Sequence, residues 1–192
     1  MLVTGASKGI GRAIALTMAQ SGARGLALLA RSSLSAVKEE CLAVQRPGYP
    51  LEVQTLQIDI SNHAQVEATA KEVEKKFGQL DIVINNAGYL NDFQLIAESD
   101  PLEWWKVWEV NLHGMYNITR TFLPLLIVSG GDKTIINLSS IGAHVLNKGQ
   151  SSYAVGRPYY SVDHDLMMSY RLQSWHFSAS RSLSAWNMEK RA

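Results

Sequence analysis

Thr4-Gly5-Ala6-Ser7-Lys8-Gly9-Ile10-Gly11 follows an apolar start, Leu2-Val3, and leads into an alanine-rich stretch of helical character. Glycines in that position form the turn between a strand and a helix, where a diphosphate can sit. A side chain at Gly5 or Gly9 would block the approach of backbone N–H groups to phosphate oxygens. Gly11 lets the helix pack closely on the strand, and the helix N-terminus adds partial positive charge. The spacing is G-x-x-x-G-x-G. It is neither the G-x-G-x-x-G fingerprint nor the G-x-x-x-x-G-K-[ST] phosphate loop, although Lys8 and Gly9 invite the second comparison. Read by itself, the stretch is also compatible with a glycine-rich turn that holds no ligand.

Behind this turn, apolar and amphipathic segments alternate. The pattern predicts a helix from Gly9 to Gln20, closed by Gly22, and a buried strand from Gly25 to Ala30. A helix opens at Ser33 and stops at Arg46-Pro47-Gly48. A strand runs from Leu51 to Ile58, and Ser61 caps a charged helix that ends near Phe77-Gly78. Leu80 to Ile84 is a fourth strand. Asp100-Pro101 starts a long helix through Trp104, Trp105, Trp108 and Asn111, interrupted or ended around Pro124. Lys133 to Leu138 is a fifth strand. Short apolar strands separated by helices imply an α/β fold, a doubly wound parallel sheet of Rossmann type with helices on both faces.

Composition narrows the partners. The chain has 192 residues, 46% of them hydrophobic, and a formal net charge of +1, which is the balance of an ordinary globular domain. That charge favours neither nucleic acid nor an anionic membrane as partner. The single cysteine, Cys41, has no second thiol for a disulfide or a metal site, so no metal is expected and a reducing, cytoplasmic setting is. No charged-then-apolar leader is read at the start, and the longest apolar run, Phe122 to Val128, is too short to span a bilayer. The sequons at Asn117 and Asn137 are read as chance matches.

Four further segments follow the glycine turn: Asn85-Asn86-Ala87-Gly88, Asn111, Ser139-Ser140 and Tyr153. In this order and spacing the chain resembles the short-chain dehydrogenase/reductase family over residues 1 to 157. The resemblance implies a catalytic tyrosine at Tyr153, and a serine at Ser140, thirteen positions earlier, that polarises the carbonyl oxygen. It also implies an asparagine at Asn111 that holds a water for proton relay, and an Asn-Asn-Ala-Gly segment that stabilises the sheet and lines the cofactor through Asn86. Asp59 resembles the family's acidic contact to the adenine ring. Residue by residue, other readings stay open: Ser139-Ser140 as a polar strand end, Tyr153 as a packing residue, Asn111 as a buried hydrogen-bonding group, Asp59 as a helix-cap neighbour. Reducing a ketone with a nicotinamide cofactor needs a hydride donor beside the carbonyl and an acid for the developing alkoxide. A free tyrosine has a pKa of about 10, so positive charge must lie near it for work at neutrality.

The expected cofactor contacts are Gly5, Ser7, Lys8, Gly9, Ile10, Gly11, Arg31, Asp59 and Asn86. Charge decides between the two nicotinamide cofactors. Where an NAD site usually carries an acidic residue after the second strand, this chain reads Ala30-Arg31-Ser32-Ser33. A guanidinium suits a 2′-phosphate, the serine hydroxyls can add donors, and Lys8 offers a second positive charge, so NADP is expected.

Three features depart from the family. Four residues after Tyr153, where the family has lysine, stands Arg157, which keeps the charge but not the compact ammonium. Gly156 and Pro158 oppose continuation of the helix begun at Tyr153. Residues 158–192 show no period of 2 or 3.6 and do not resemble the family's last part. The expected organisation is therefore a dinucleotide-binding domain at 1–157 and an unrelated tail at 158–192, with the last strands of the sheet missing, as in a variant or imperfectly delimited form of a longer reductase. The start, Met1-Leu2-Val3, leaves little of a first strand. Two functions follow as expectations: an NADP-dependent oxidoreductase acting on a small carbonyl or secondary alcohol, or a catalytically weak nucleotide-binding or interaction protein derived from one. A methyltransferase on a similar sheet leaves Ser140, Tyr153 and Asn111 unexplained. Trp104, Trp105 and Trp108 cannot share one core stripe, since adjacent helical positions diverge by about 100°, and they suggest a homo-oligomer interface.

Overall fold

The computed structural model describes residues 1–143, 148–156 and 167–171. Its elements, in chain order, are β1 (Leu2–Thr4), α1 (Gly9–Gln20), β2 (Gly25–Ala30), α2 (Ser35–Ala43), β3 (Glu52–Gln57), α3 (His63–Phe77) and β4 (Ile82–Asn85). Then come α4 (Pro101–Trp108), a π-helical turn (Glu109–Gly114), α5 (Met115–Ile127), β5 (Thr134–Leu138), a 3-10 turn (Ile141–Ala143), α6 (Ser151–Gly156) and β6 (Met167–Arg171). The sheet order is β3-β2-β1-β4-β5-β6, and the first five strands are parallel. The chain winds outward from β1 to β3, then returns to the other side of β1 with β4. The gap beyond the carboxyl ends of β1 and β4 is thus the switch point, where doubly wound sheets bind ligands.

Two-sided burial explains the unbroken apolar strands. Along β1 and β2, Leu2, Ala27 and Leu29 face one way and pack with Val66, Val73, Ile118 and Phe122. Val3, Leu26 and Leu28 face the other way, against Ala15, Ala19, Val37 and Cys41. Successive side chains of a strand point to opposite faces, so a strand covered on both must be apolar throughout.

Several expected boundaries shift for local reasons. The cap of α3 is Asn62, whose side chain accepts from Gln65 N (3.1 Å), rather than Ser61, whose hydroxyl donates to Asp59 Oδ1 (2.7 Å). Asp100 caps α4 as expected, accepting from Leu102 N at 2.7 Å with Pro101 in the first turn. The long helix does not stop at Pro124. It runs to Ile127, because Phe122, Leu125 and Leu126 are buried while Pro124 lies on the solvent side. Three residues suffice for β1, which pairs with both β2 and β4.

The largest difference lies in the tail. Residues 167–171 form β6, antiparallel to β5 over Thr134–Leu138 and Arg171–Met167. Met-Met-Ser-Tyr-Arg has neither alternation nor a β-branched residue, so nothing in the sequence marked it as a strand. Its backbone covers the β5 edge that would otherwise stay unpaired. Among the described residues, no helix is long and apolar enough to cross a membrane. The Asn117 sequon is buried, and its amide donates to Ile60 O at 3.1 Å, so it is closed to glycosylation in this fold.

Candidate active site

A cavity of about 680 Å³ opens at the switch point. Gly5, Ser7, Lys8, Gly9, Ile10, Gly11, Arg31, Asp59 and Asn86 all line it, joined by Ala87 and Gly88 after β4 and by Val110. Every residue expected at the cofactor therefore meets in one place.

Thr4 is the fastener of this corner, and the sequence motif alone did not single it out. The buried Thr4 hydroxyl donates to Ile84 O (3.3 Å) and accepts from Asn86 N and Ala87 N (both 3.0 Å). Asn86 Nδ2 returns the tie, donating to Thr4 O (2.8 Å) and Gly5 O (3.2 Å). Its neighbour Asn85 works on the sheet instead, donating to Thr119 Oγ1 (3.0 Å) and Asn137 Oδ1 (2.8 Å). The two asparagines thus divide the roles: one fastens β4 to β5 and α5, the other fixes the glycine turn.

This bracing also explains the glycines. Gly5 has φ +64°, and a Cβ there would stand 2.9 Å from both Ala87 Cα and Asn86 Nδ2. A Cβ on Gly11 would overlap the Gly5 carbonyl and Asn86 Nδ2, of which the first is backbone and cannot swing away. Close approach of two turns, more than helix-to-strand packing, demands Gly11. Gly9 has open space around the same position, on the cavity side. We expect Gly11→Ala to cost about 1–3 kcal/mol by overpacking, lowering the melting temperature by about 2–10 °C. Calorimetry checks this, and an unchanged melting temperature would contradict the tie between the two turns.

At the rim, Arg31 is exposed, and its carbonyl accepts from Gln57 Nε2 at 2.8 Å. Among the described residues, neither the Arg31 guanidinium nor the Lys8 ammonium enters an ion pair. The serines are less available. Ser32 Oγ donates to Ser7 Oγ (2.8 Å), joining the two loops, and Ser33 pairs with Ser35 at 3.0 Å. Asp59 Oδ1 accepts from Ser61 N (2.9 Å) and Ser61 Oγ (2.7 Å), so this carboxylate shapes the turn into α3 while lining the cavity.

The remaining candidates lie beyond β4 and β5. Asn111 is buried in the π-helical turn, a geometry common at functional sites. Its amide is engaged at both ends, accepting from Tyr89 N (2.7 Å) and donating to Tyr89 O (2.9 Å). The side chain therefore grips the segment after β4. Ser140 follows β5, and its hydroxyl accepts from Gly142 N at 3.2 Å. Tyr153 sits on α6 across the same glycine: a Cβ on Gly142 would lie 3.1 Å from Tyr153 Cε1 and 3.5 Å from Ser140 Oγ. Fold and sequence order thus bring serine and tyrosine together over one glycine. Arg157 and Pro158 lie outside the described residues.

The three indoles do not enter the core stripe of α4, whose buried residue is Val107. Trp104, Trp105 and Trp108 stack, with ring centroids 5.6–6.3 Å apart. Only Trp105 is largely exposed, and Trp104 Nε1 turns inward to donate to Ser151 Oγ at 3.0 Å. Nearby, Glu103 accepts from Tyr89 OH and from Lys106 Nζ (3.0 Å), which holds its carboxyl below the usual carboxylate range and raises the Tyr89 hydroxyl above its own.

A parallel doubly wound sheet with a glycine turn, a braced Asn-Asn-Ala-Gly and a serine–tyrosine pair defines an α/β domain of Rossmann type. Residues 1–156 match the family model described as short chain dehydrogenase, and the chain belongs to that family. It is 49% identical over 159 residues to short chain dehydrogenase mpl6 of Monascus purpureus, covering 82% of this chain and 54% of that protein. It is also similar to a solved alcohol dehydrogenase from the archaeon Thermococcus sibiricus complexed with 5-hydroxy-NADP: 34% identity, TM-score 0.71, covering 81% of this chain and 64% of the other. A 3-oxoacyl-acyl-carrier-protein reductase from Brucella melitensis in complex with NAD matches at 26% identity and TM-score 0.73, over 81% of this chain and 61% of the other. The chain spans about half the length of mpl6.

Proposed function

We propose that the protein is an NADP-dependent oxidoreductase that transfers a hydride between the nicotinamide and a carbonyl or secondary alcohol. One observation carries the reading: the glycine turn after β1, Arg31 after β2 and Ser140 after β5 all stand at the carboxyl ends of parallel strands of one sheet, with Tyr153 on α6 across Gly142 from Ser140. The cavity fits a dinucleotide. It has the α1 N-terminus at one wall, positive charge at the β2 rim from Arg31 and Lys8, and a glycine at position 9 that leaves space on the cavity side. Residues 1–157 are the dinucleotide-binding unit in this reading, and 158–192 the tail, of which β6 adds to the same sheet.

NADPH, when bound, supplies the hydride to the carbonyl carbon. Ser140 donates a hydrogen bond to the carbonyl oxygen, and Tyr153 delivers the proton that the oxygen takes up as negative charge develops on it. In the sequence Arg157 stands four residues after Tyr153, where the family has lysine, and keeps that residue's positive charge. Asn111 holds the Tyr89 segment through both ends of its amide. In the oxidative direction the same groups act in reverse.

NADPH oxidation against a panel of ketones and aldehydes tests the reading. Arg157→Lys should raise the rate, because a compact ammonium reaches the ribose hydroxyls and the tyrosine together. Running it alone and with Pro158→Ala separates charge placement from helix continuation; a rate unchanged in both would remove Arg157 from the site. Arg157 with Pro158 also favours the second reading, a nucleotide-binding protein of little or no turnover.

For the assembly, we propose a homo-oligomer that associates through α4 and the start of α5. Trp105 and Tyr116, each 55% exposed, border a groove of about 490 Å³ with Trp108 and Leu112. Apolar exposure of this kind is typical of association surfaces. Light scattering at micromolar concentration should report a dimer or larger; a monomeric mass would refute it.

A further inference from the structure

We propose that the segment between β4 and α4, together with Trp104, is the bracket that positions Tyr153, with Asn91 and Trp104 as its positioning residues. The inference rests on Tyr153 being the proton donor. Three contacts reach the residues just before that tyrosine. Gln94 N donates to Gly149 O (3.1 Å), Trp104 Nε1 donates to Ser151 Oγ (3.0 Å), and Ser152 Oγ donates to Asn91 Oδ1 (2.9 Å). They touch Gly149, Ser151 and Ser152, three points of one short turn, so together they fix both the start of α6 and its rotation.

The geometry leaves this turn little freedom. Ser152, directly before Tyr153, is 1% exposed, so its hydroxyl has Asn91 in place of water. A buried hydroxyl stripped of its acceptor is costly, which makes the Asn91 contact directional rather than incidental. Gly149 has φ +84°, and a Cβ there would lie 3.0 Å from Gln94 N and 3.1 Å from Phe93 C, so backbone lies on backbone at this point. The other end of the bracket is equally held. Asn111 clasps the Tyr89 main chain from both sides, and Tyr89 OH is bound to Glu103 on α4, one residue before Trp104. Asn111 and Tyr153 are therefore linked through a single braced segment, and the indole of Trp104 serves the inside of the molecule rather than a partner surface.

Misplacing a proton donor by a fraction of its reach lowers turnover without weakening cofactor binding, whose proposed charge contacts come from the glycine turn and the β2 rim. The test uses the full 192-residue chain with Asn91→Ala, Asn91→Asp and Trp104→Phe. Asn91→Asp keeps the acceptor for Ser152, and Trp104→Phe keeps a stacked ring but loses the donor. Two readouts are taken: kcat with NADPH Kd, and the ring NMR resonance of Tyr153 in isotope-labelled protein, assigned through Tyr153→Phe. Asn91→Ala and Trp104→Phe should shift that resonance and lower kcat about tenfold, with NADPH Kd within about twofold of the parent. Asn91→Asp should restore both values. The resonance and kcat staying at parental values in Asn91→Ala and Trp104→Phe would overturn the bracket, as would Asn91→Asp behaving like Asn91→Ala. If the parent reduces no carbonyl, the functional reading fails, while the resonance still decides the bracket.

Discussion

Tyr153→Phe is expected to lower carbonyl reduction by about a hundred- to ten-thousandfold, the range in which a positioned general acid contributes. The reason is local. The substitution removes only the hydroxyl and keeps the ring that packs over Gly142 beside Ser140, so the fold and the neighbouring serine stay as they are. NADPH affinity should remain within about twofold, because the proposed charge contacts to the cofactor come from the glycine turn and the β2 rim. Turnover and a fluorescence titration, measured on the same preparation, check both halves. Phenylalanine enzyme that keeps a tenth of the parental rate would take the proton-donor role away from Tyr153.

Arg31→Ala should weaken NADPH by about ten- to a hundredfold, since a charge-assisted hydrogen bond to phosphate is worth about 1.5–3 kcal/mol. NADH has no 2′-phosphate and should change little. The geometry makes Arg31 the stronger of the two cations for this role. Its main chain is anchored by Gln57, which fixes where the side chain leaves the rim, whereas Lys8 precedes α1 in the exposed part of the turn. The Ser32 hydroxyl donates to Ser7 Oγ, so its proton is engaged within the protein while the Arg31 guanidinium stands at the rim. Paired titrations of both cofactors on parent and variant measure the effect. Equal loss for NADPH and NADH would show that Arg31 supports the loop and not the phosphate.

Much of this architecture is legible in the residues because local and tertiary demands coincide. Gly9–Gln20 and Gly25–Ala30 form as the pattern predicts: helix periodicity and two-sided strand burial each leave one choice. That the candidate cofactor residues line one cavity is legible for the same reason, since a short glycine turn and a strand end must meet at the switch point. Other features are set by groups far apart in sequence. Thr4 looks like any strand residue until Asn86 and Ala87, more than eighty positions away, donate to its hydroxyl. Pro124 signals a helix end, yet the burial of Phe122, Leu125 and Leu126 carries α5 past it. The indole of Trp104 reads as surplus apolar area until Ser151 appears opposite its N–H. β6 has no periodic signature because its pairing is dictated by the open edge of β5.

Hydride transfer by this chain from NADPH to a carbonyl can be followed through the nicotinamide absorbance. The 192-residue protein is mixed with NADPH and a broad panel of ketones and aldehydes, with Tyr153→Phe as the blank. The parent should show slow, carbonyl-dependent loss of NADPH, Arg157→Lys a faster loss, and Tyr153→Phe none. Tight NADPH binding with no carbonyl-dependent oxidation in the parent, in Arg157→Lys, or in Arg157→Lys with Pro158→Ala would contradict hydride transfer and leave a nucleotide-binding protein.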